Sequence, residues 1–199
     1  MKAKDFNFQK ELKYSFETGQ VTLKNSRVLI LDTNAIGLLR YNLIELLGME
    51  ATRALFLQLG YINGYSDFMQ FKTTHEFDDD NELLTLGPIM HSWEGVVKAV
   101  PKEIRIDKNK GEFYFSGVWI GSYEAEQHLI YYKPWSEPVC WSLMGYSSGW
   151  SSAFFGSKLI AIESLCIGKG DDHCEWEIQP PEVWDYEKAK PYIEALKEF

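Results

Sequence analysis

The stretch LIAIESLCIGKGDDHCEWEI, Leu159 to Ile178, reads as two strands folded back on a turn. Leu159 to Ile167 is apolar enough for a strand, Gly168 to Asp172 has turn chemistry, and His173 to Ile178 returns until Pro180-Pro181 ends it. Upstream, Val139 to Phe155 follows Pro138 and reads as a helix. Gly145, Gly149 and Ala153 recur every four residues along it, a row that lets another backbone pack very close. Earlier still, Lys102 to Ile106 and Glu112 to Trp119 flank Asp107 to Gly111, a second hairpin signature, and Ser122 is placed to cap a short helix through Glu126 to Ile130.

The first half of the chain is helical by the same reasoning. Thr33 and Asn34 are candidate caps for a helix from Ala35 to Leu47, with Ile36, Leu39, Leu43, Leu46 and Leu47 on one apolar face. Gly48 ends it, and a second helix from Met49 to about Tyr61 turns Ala51, Ala54, Leu55 and Leu59 inward, giving a helical hairpin. Val28-Leu29-Ile30-Leu31 reads as a short buried strand, and residues 1–24 as a polar arm without a sustained period. Thr73 to Asn81 is acidic and exposed, and Glu82 to Met90 is helical until Gly87-Pro88 breaks it. The tail from Trp184 to Phe199 is helical, with Pro191 starting or kinking it. The fold class is α+β: a helical hairpin packed on a mainly antiparallel sheet, with a second, C-terminal hairpin.

Composition narrows the function. With 29 acidic and 20 basic residues the net charge is −9, which repels phosphate backbones, so direct nucleic-acid binding is not expected. No apolar run is long enough to span a bilayer, and the N-terminus lacks the apolar core of a secretory signal. The expected location is therefore the cytoplasm, where Cys140, Cys166 and Cys174 stay reduced.

Those three cysteines with Glu163 form the strongest chemical signal. Thiolates and a carboxylate suit a closed, four-coordinate zinc site; inert buried thiols are the other reading. Glu163 and Cys166 are three apart, so an ideal strand points them to opposite faces, and a shared metal requires a bulge or strand end between them. Lys169 or His173 is placed to offset the site's excess negative charge. No phosphate-binding loop, GxSxG elbow, HExxH motif or dinucleotide fingerprint is present, so an enzyme is not expected. His91, near Pro88, and Trp119, at the end of an alternating strand, are either core residues or the polar handles of an apolar pocket sized for a phenol.

Several segments then point to a family. Gly87 to Lys98 (GPIMHSWEGVVK), Glu112 to Trp119 (EFYFSGVW) and Arg40 to Gly48 (RYNLIELLG) resemble the sensory domain of the activators of aromatic catabolism. Glu137 to Trp141 (EPVCW), Gly145 to Gly149 (GYSSG), Glu163 to Cys166 (ESLC) and Gly170 to Cys174 (GDDHC) resemble a 4-vinyl reductase domain. The resemblance runs in order from about Asn25 to Trp184. It implies a sensor module of sigma-54-dependent transcriptional activators, dimeric, that binds phenol-like aromatics through His91 and Trp119 and holds a structural zinc on Cys140, Glu163, Cys166 and Cys174. It implies a division into an arm (1–24), a sensor domain (25–184, with the zinc subdomain at about 135–180) and a relay or linker helix (185–199). The ligand is expected to sit between the helical hairpin and the sheet, and the output to pass to ATPase and DNA-binding domains outside this sequence. The reductase resemblance leaves a tetrapyrrole-binding accessory protein, or a scaffold dimer without ligand, as the alternatives.

Overall fold

The computed structural model describes residues 1–199. The polar N-terminal stretch folds without having announced itself by periodicity. A one-turn helix α1 (Phe8–Glu11) leads into an antiparallel meander of β1 (Leu12–Ser15), β2 (Gln20–Leu23) and β3 (Ser26–Val28). Isolated apolar residues anchor it: Ala3, Phe6 and Phe8 are buried, and the Phe6 ring stands edge-on to Phe71 at 5.2 Å. The apolar run after it is not a buried strand. Val28 only ends β3, and Leu29, Ile30 and Leu31 lie 73%, 77% and 59% exposed.

Helix α2 (Thr33–Leu47) is capped by Asp32, whose carboxylate accepts from Asn34 N–H at 2.7 Å, one residue earlier than the candidates Thr33 and Asn34. Gly48, at φ 82°, alone separates it from α3 (Met49–Thr74), which runs 13 residues beyond Tyr61. The buried side of each helix also differs from the apolar pattern. Leu39, Leu46, Leu47, Leu55 and Leu59 are exposed, whereas Gly37, Arg40, Ile44, Phe56, Leu57, Gly60, Tyr61 and Gly64 are buried. An amphipathic pattern identifies an apolar face but does not say which neighbour covers it. Here the face carrying glycines is the one another helix can approach.

Helix α4 (Asp80–Trp93) continues through Pro88 where a break is expected. A proline removes the N–H that would serve the carbonyl four residues back, Leu84. The indole N–H of Trp150 fills that role, donating to Leu84 O at 3.2 Å, so the helix proceeds one more turn to His91. The long hairpin β4 (Lys98–Asp107) and β5 (Glu112–Ile120) follows, then α5 (Tyr123–Tyr131), capped by Ser122 as expected. Helix α6 (Trp141–Phe155), the hairpin β6 (Ile160–Leu165) and β7 (Cys174–Gln179), and α7 (Tyr186–Ala195), with Pro191 inside it, complete the chain.

The main sheet is antiparallel throughout, in the order β4-β5-β7-β6. Helix α6 packs on its β6–β7 side and α4 on β4, while α3 lies across α6. The hairpin of α2 and α3 is thus a third layer rather than the cover of the sheet. The α3–α6 contact is as close as the glycine row implies. A Cβ on Gly145 would run into the Leu57 carbonyl and one on Gly149 into the Tyr61 carbonyl. Reciprocally, Gly60 meets the Ser142 carbonyl and Gly64 that of Tyr146. Gly145→Ala is expected to force the helices apart and cost about 1–3 kcal/mol of unfolding free energy, read from urea midpoints at unchanged slope. An unchanged midpoint would mean the helices separate freely.

Candidate ligand cavity and metal cluster

Pro88 and the residues around it frame a cavity. Pro88 and His91 come from α4, Trp119 from β5, Tyr146 and Trp150 from α6, and Trp176 from β7. The cavity is about 20 Å³, room for roughly one water. His91 is 3% and Trp119 1% exposed, and their ring centroids are 6.5 Å apart. The sequence-expected pair therefore lines one space, but that space lies between α4, α6 and the sheet, not beneath the hairpin of α2 and α3.

Burial alone depresses the His91 imidazole to about 3, leaving it neutral. A neutral imidazole offers one acceptor and one donor nitrogen. Tyr146 packs its ring 4.3 Å from that of His91 and donates its hydroxyl to Asp67 Oδ2 at 3.2 Å. Asp67 is buried on α3, and desolvation raises its carboxyl to about 6. Tyr146, Asp67, Trp150 and Trp176 were not legible as site residues. Gly87 gives the local reason for Trp150: a Cβ there would press on its indole at 3.0 Å.

The second constellation is the cluster of Cys140, Glu163, Cys166 and Cys174. All four are buried, and their donor atoms lie within 4.8 Å of one another, so the group could hold a metal ion. The parity problem between Glu163 and Cys166 is solved as required. The β6–β7 register shifts between Glu163 and Leu165, and Cys166 lies past the strand end, before a 3-10 turn (Ile167–Lys169). Cys174 opens β7 and Cys140 precedes α6, so the cluster ties three elements together.

The cluster's neighbours differ from expectation. Lys169 pairs with Asp171 at 3.1 Å and His173 with Glu175 at 3.3 Å, so neither serves the thiols. Instead Val139 N–H and Ile167 N–H donate to Cys166 and Cys174 sulfurs at 3.5 and 3.4 Å, and Ser122 Oγ sits 3.0 Å from Cys140 Sγ. The nearby cation is Arg40, which opens the RYNLIELLG segment but was not expected at the cluster. It is 3% exposed and lies over the Trp141 ring at 4.0 Å; burial lowers its guanidinium, and the nearby Glu124 carboxyl offsets part of that. Cys140 cannot cap α6 with its sulfur, and Glu124 takes over, accepting from the N–H groups of Ser142 and Leu143 at 2.8 and 3.3 Å.

Comparison with known proteins gives these features a context. A profile of the family described as activator of aromatic catabolism matches residues 7–107. The chain is 31% identical over 172 residues to the phenol regulator MopR of Acinetobacter guillouiae, covering 86% of this chain and 31% of that protein. It is 29% identical over 195 residues to the transcriptional regulatory protein XylR of Pseudomonas putida, covering 94% and 34%. The chain thus spans about a third of the length of these curated relatives. Its fold matches the crystal structure of the phenol-responsive sensory domain of the transcription activator PoxR with phenol, at a TM-score of 0.87 and 32% identity over 94% of both chains. With half of its length matched by the family profile and nearly all of its fold shared with a sensory domain, the chain belongs to the activators of aromatic catabolism.

Proposed function

We propose that this chain is a sensor that binds a phenol-like aromatic at His91 and Trp119 and does no chemistry on it. The observation behind the reading is the pairing of a buried neutral imidazole with an indole across one aromatic-walled cavity. A phenol hydroxyl both donates and accepts: its proton goes to His91 and its oxygen accepts from the Trp119 N–H. Family membership and the likeness to a phenol-bound sensory domain support the same ligand class. The chain's location on this reading is the cytoplasm; no helix is long and apolar enough to cross a membrane.

A six-membered ring does not fit in about 20 Å³, so binding must widen the cavity. The wall placed to move is α4, with Pro88 inside it, against α6, and α6 contacts α3 backbone to backbone. Helix α7 docks on α3, with Gln58 donating to the Ala195 carbonyl at 2.8 Å. Occupancy would thus bias the seating of α7, the proposed relay segment (185–199), behind a sensor unit of 25–184. A ligand shifts that balance only as far as its affinities for the two arrangements differ. Calorimetric titration of the metal-loaded protein with phenol tests the reading. Saturable binding is expected, and none in demonstrably folded protein would sink it in favour of the tetrapyrrole or scaffold alternatives.

The metal we assign is zinc, held by Cys140, Glu163, Cys166 and Cys174. A tetrahedron with arms of about 2.3 Å places sulfurs roughly 3.8 Å apart, and Cys140 and Cys166 sulfurs are 3.9 Å apart. Glu163 Oε1 is buried without a hydrogen-bond partner, which suits a ligand oxygen. Four protein donors leave no open position, so zinc would hold the C-terminal half together and activate no water.

The exposed apolar faces of α2 and α3 are the basis for proposing a homodimer. Leu29, Ile30, Leu31, Leu39, Leu46, Leu47 and Leu59 are more than half exposed or close to it on one continuous part of the chain. That is more apolar surface than scattered exposed leucines explain. Leu39→Asp combined with Leu46→Asp is expected to convert a dimer mass to a monomer mass in light scattering, with binding of phenol retained. A wild-type monomer at tens of micromolar would refute the dimer.

A further inference from the structure

Three indoles line the cavity, and they differ in what their N–H groups do. Trp150 spends its N–H on the Leu84 carbonyl, the acceptor that Pro88 leaves free. Trp119 stands beside His91. Trp176 is 2% exposed, and its Nε1 has no hydrogen-bond partner in the fold. Buried donors are almost always paired, so an unpaired one in a cavity wall calls for a partner from outside the chain.

Its position is built in. Trp176 faces Gly117 across the β5–β7 ladder, and a Cβ on residue 117 would collide with the six-membered ring of the indole and with the Val100 carbonyl. Only glycine there admits the indole. Along β7, Cys174, Trp176 and Ile178 alternate as the buried face, so Trp176 points to the same side of the sheet as Trp119, whose register partner is Cys174. The two indoles lie 6.0 Å apart at 30°. A single aromatic ring can span that distance and meet both.

We infer that the ligand carries, besides its hydroxyl, a second hydrogen-bond acceptor such as an alkoxy, carbonyl or nitro oxygen, and that Trp176 is the specificity residue that recognises it. The inference rests on the aromatic-sensor reading above. A water is the competing partner, since the cavity has room for one. A ligand oxygen would replace that water and keep the bond, whereas a methylene of the same size would displace it and leave the N–H bare.

Methoxyphenols and the ethylphenols of matching substitution separate the two, because they differ by an oxygen for a methylene at nearly constant size, and the Trp176→Phe comparison removes any preference due to shape. Their affinities, with phenol as reference, are to be measured calorimetrically for wild type and Trp176→Phe. At one ring position or more, wild type is expected to bind the methoxyphenol about tenfold tighter than its ethyl partner, with Trp176→Phe levelling the pair. Phenol binding without such a preference in wild type, or a preference that survives in Trp176→Phe, overturns the assignment and leaves the sensor reading standing. Failure of every phenol to bind folded protein overturns both. If Trp176→Phe does not fold, the Trp176 indole N–H resonance of wild type decides. A shift to lower field with the methoxyphenol alone supports the inference, and equal responses to both ligands refute it.

Discussion

Cys166→Ser is expected to abolish the zinc binding proposed for the cluster and to lower the thermal midpoint by more than about 10 °C, with elemental analysis falling from the proposed one zinc per chain toward zero. Cys166 receives its sulfur contacts from three directions: the Val139 N–H, the Cys140 thiol at 3.9 Å and the cluster partners on β6 and β7. Without a cation the site is costly. Burial pushes the Cys140 thiol and the Glu163 carboxyl well above their usual ranges, because four acidic groups cannot ionise together in a desolvated pocket. A divalent ion reverses that, and its binding free energy becomes folding free energy. Loss of a ligand is thus worth on the order of 4–5 kcal/mol, which at this chain length is about 2–4 °C per kcal/mol. A chelator added to wild type should reproduce the shift. If wild type holds no zinc and Cys166→Ser melts within 2–3 °C of it (roughly 1 kcal/mol), the thiols are inert core residues.

This cluster was legible in the sequence because thiols are few and their spacing against a turn is restrictive. The bulge that reconciles Glu163 with Cys166 follows from strand parity alone. The hairpins and α6 were legible for similar reasons, since turn residues and small-residue rows act locally. What stayed hidden depends on partners distant in sequence. Pro88 looks like a helix end until Trp150, 62 positions later, supplies the missing donor. Arg40 sits in a run that reads as amphipathic, yet it is a buried cation, bonded to His128 and the Val139 carbonyl at 3.2 Å each. The apolar faces of α2 and α3 were found correctly as apolar and assigned wrongly as buried. Hydrophobic periodicity reports what a helix can bury, not whether an element of the same fold covers it.

His91→Ala is expected to weaken phenol binding by about 10- to 100-fold while leaving the fold intact, since it leaves the phenol proton unpaired in a desolvated cavity at a cost of about 1–3 kcal/mol. Anisole sharpens the test. Its oxygen still accepts from Trp119, but it has no proton for His91, so wild type should discriminate against it and His91→Ala should not. Trp119→Phe should instead weaken both ligands, since each loses the indole donor, and keep the preference for phenol. The pH dependence distinguishes this histidine from an exposed one. Its imidazole is held at about 3 by burial, so it remains an acceptor throughout the neutral range. Protonation, which would abolish the acceptor, begins to matter only as pH falls toward that value. Affinity for phenol should therefore stay flat between pH 5.5 and 8 (about 2.5 units above the held pKa at the lower limit). A histidine with an ordinary value near 6.5 would instead lose about tenfold by pH 5.5. Asp67, joined to the cavity through the Tyr146 hydroxyl, has its carboxyl near 6 and titrates in that window, so the profile is read in Asp67→Asn as well. An affinity that still falls there would mean that His91 is hydrated and titrates normally, and that the hydroxyl is held by some other group.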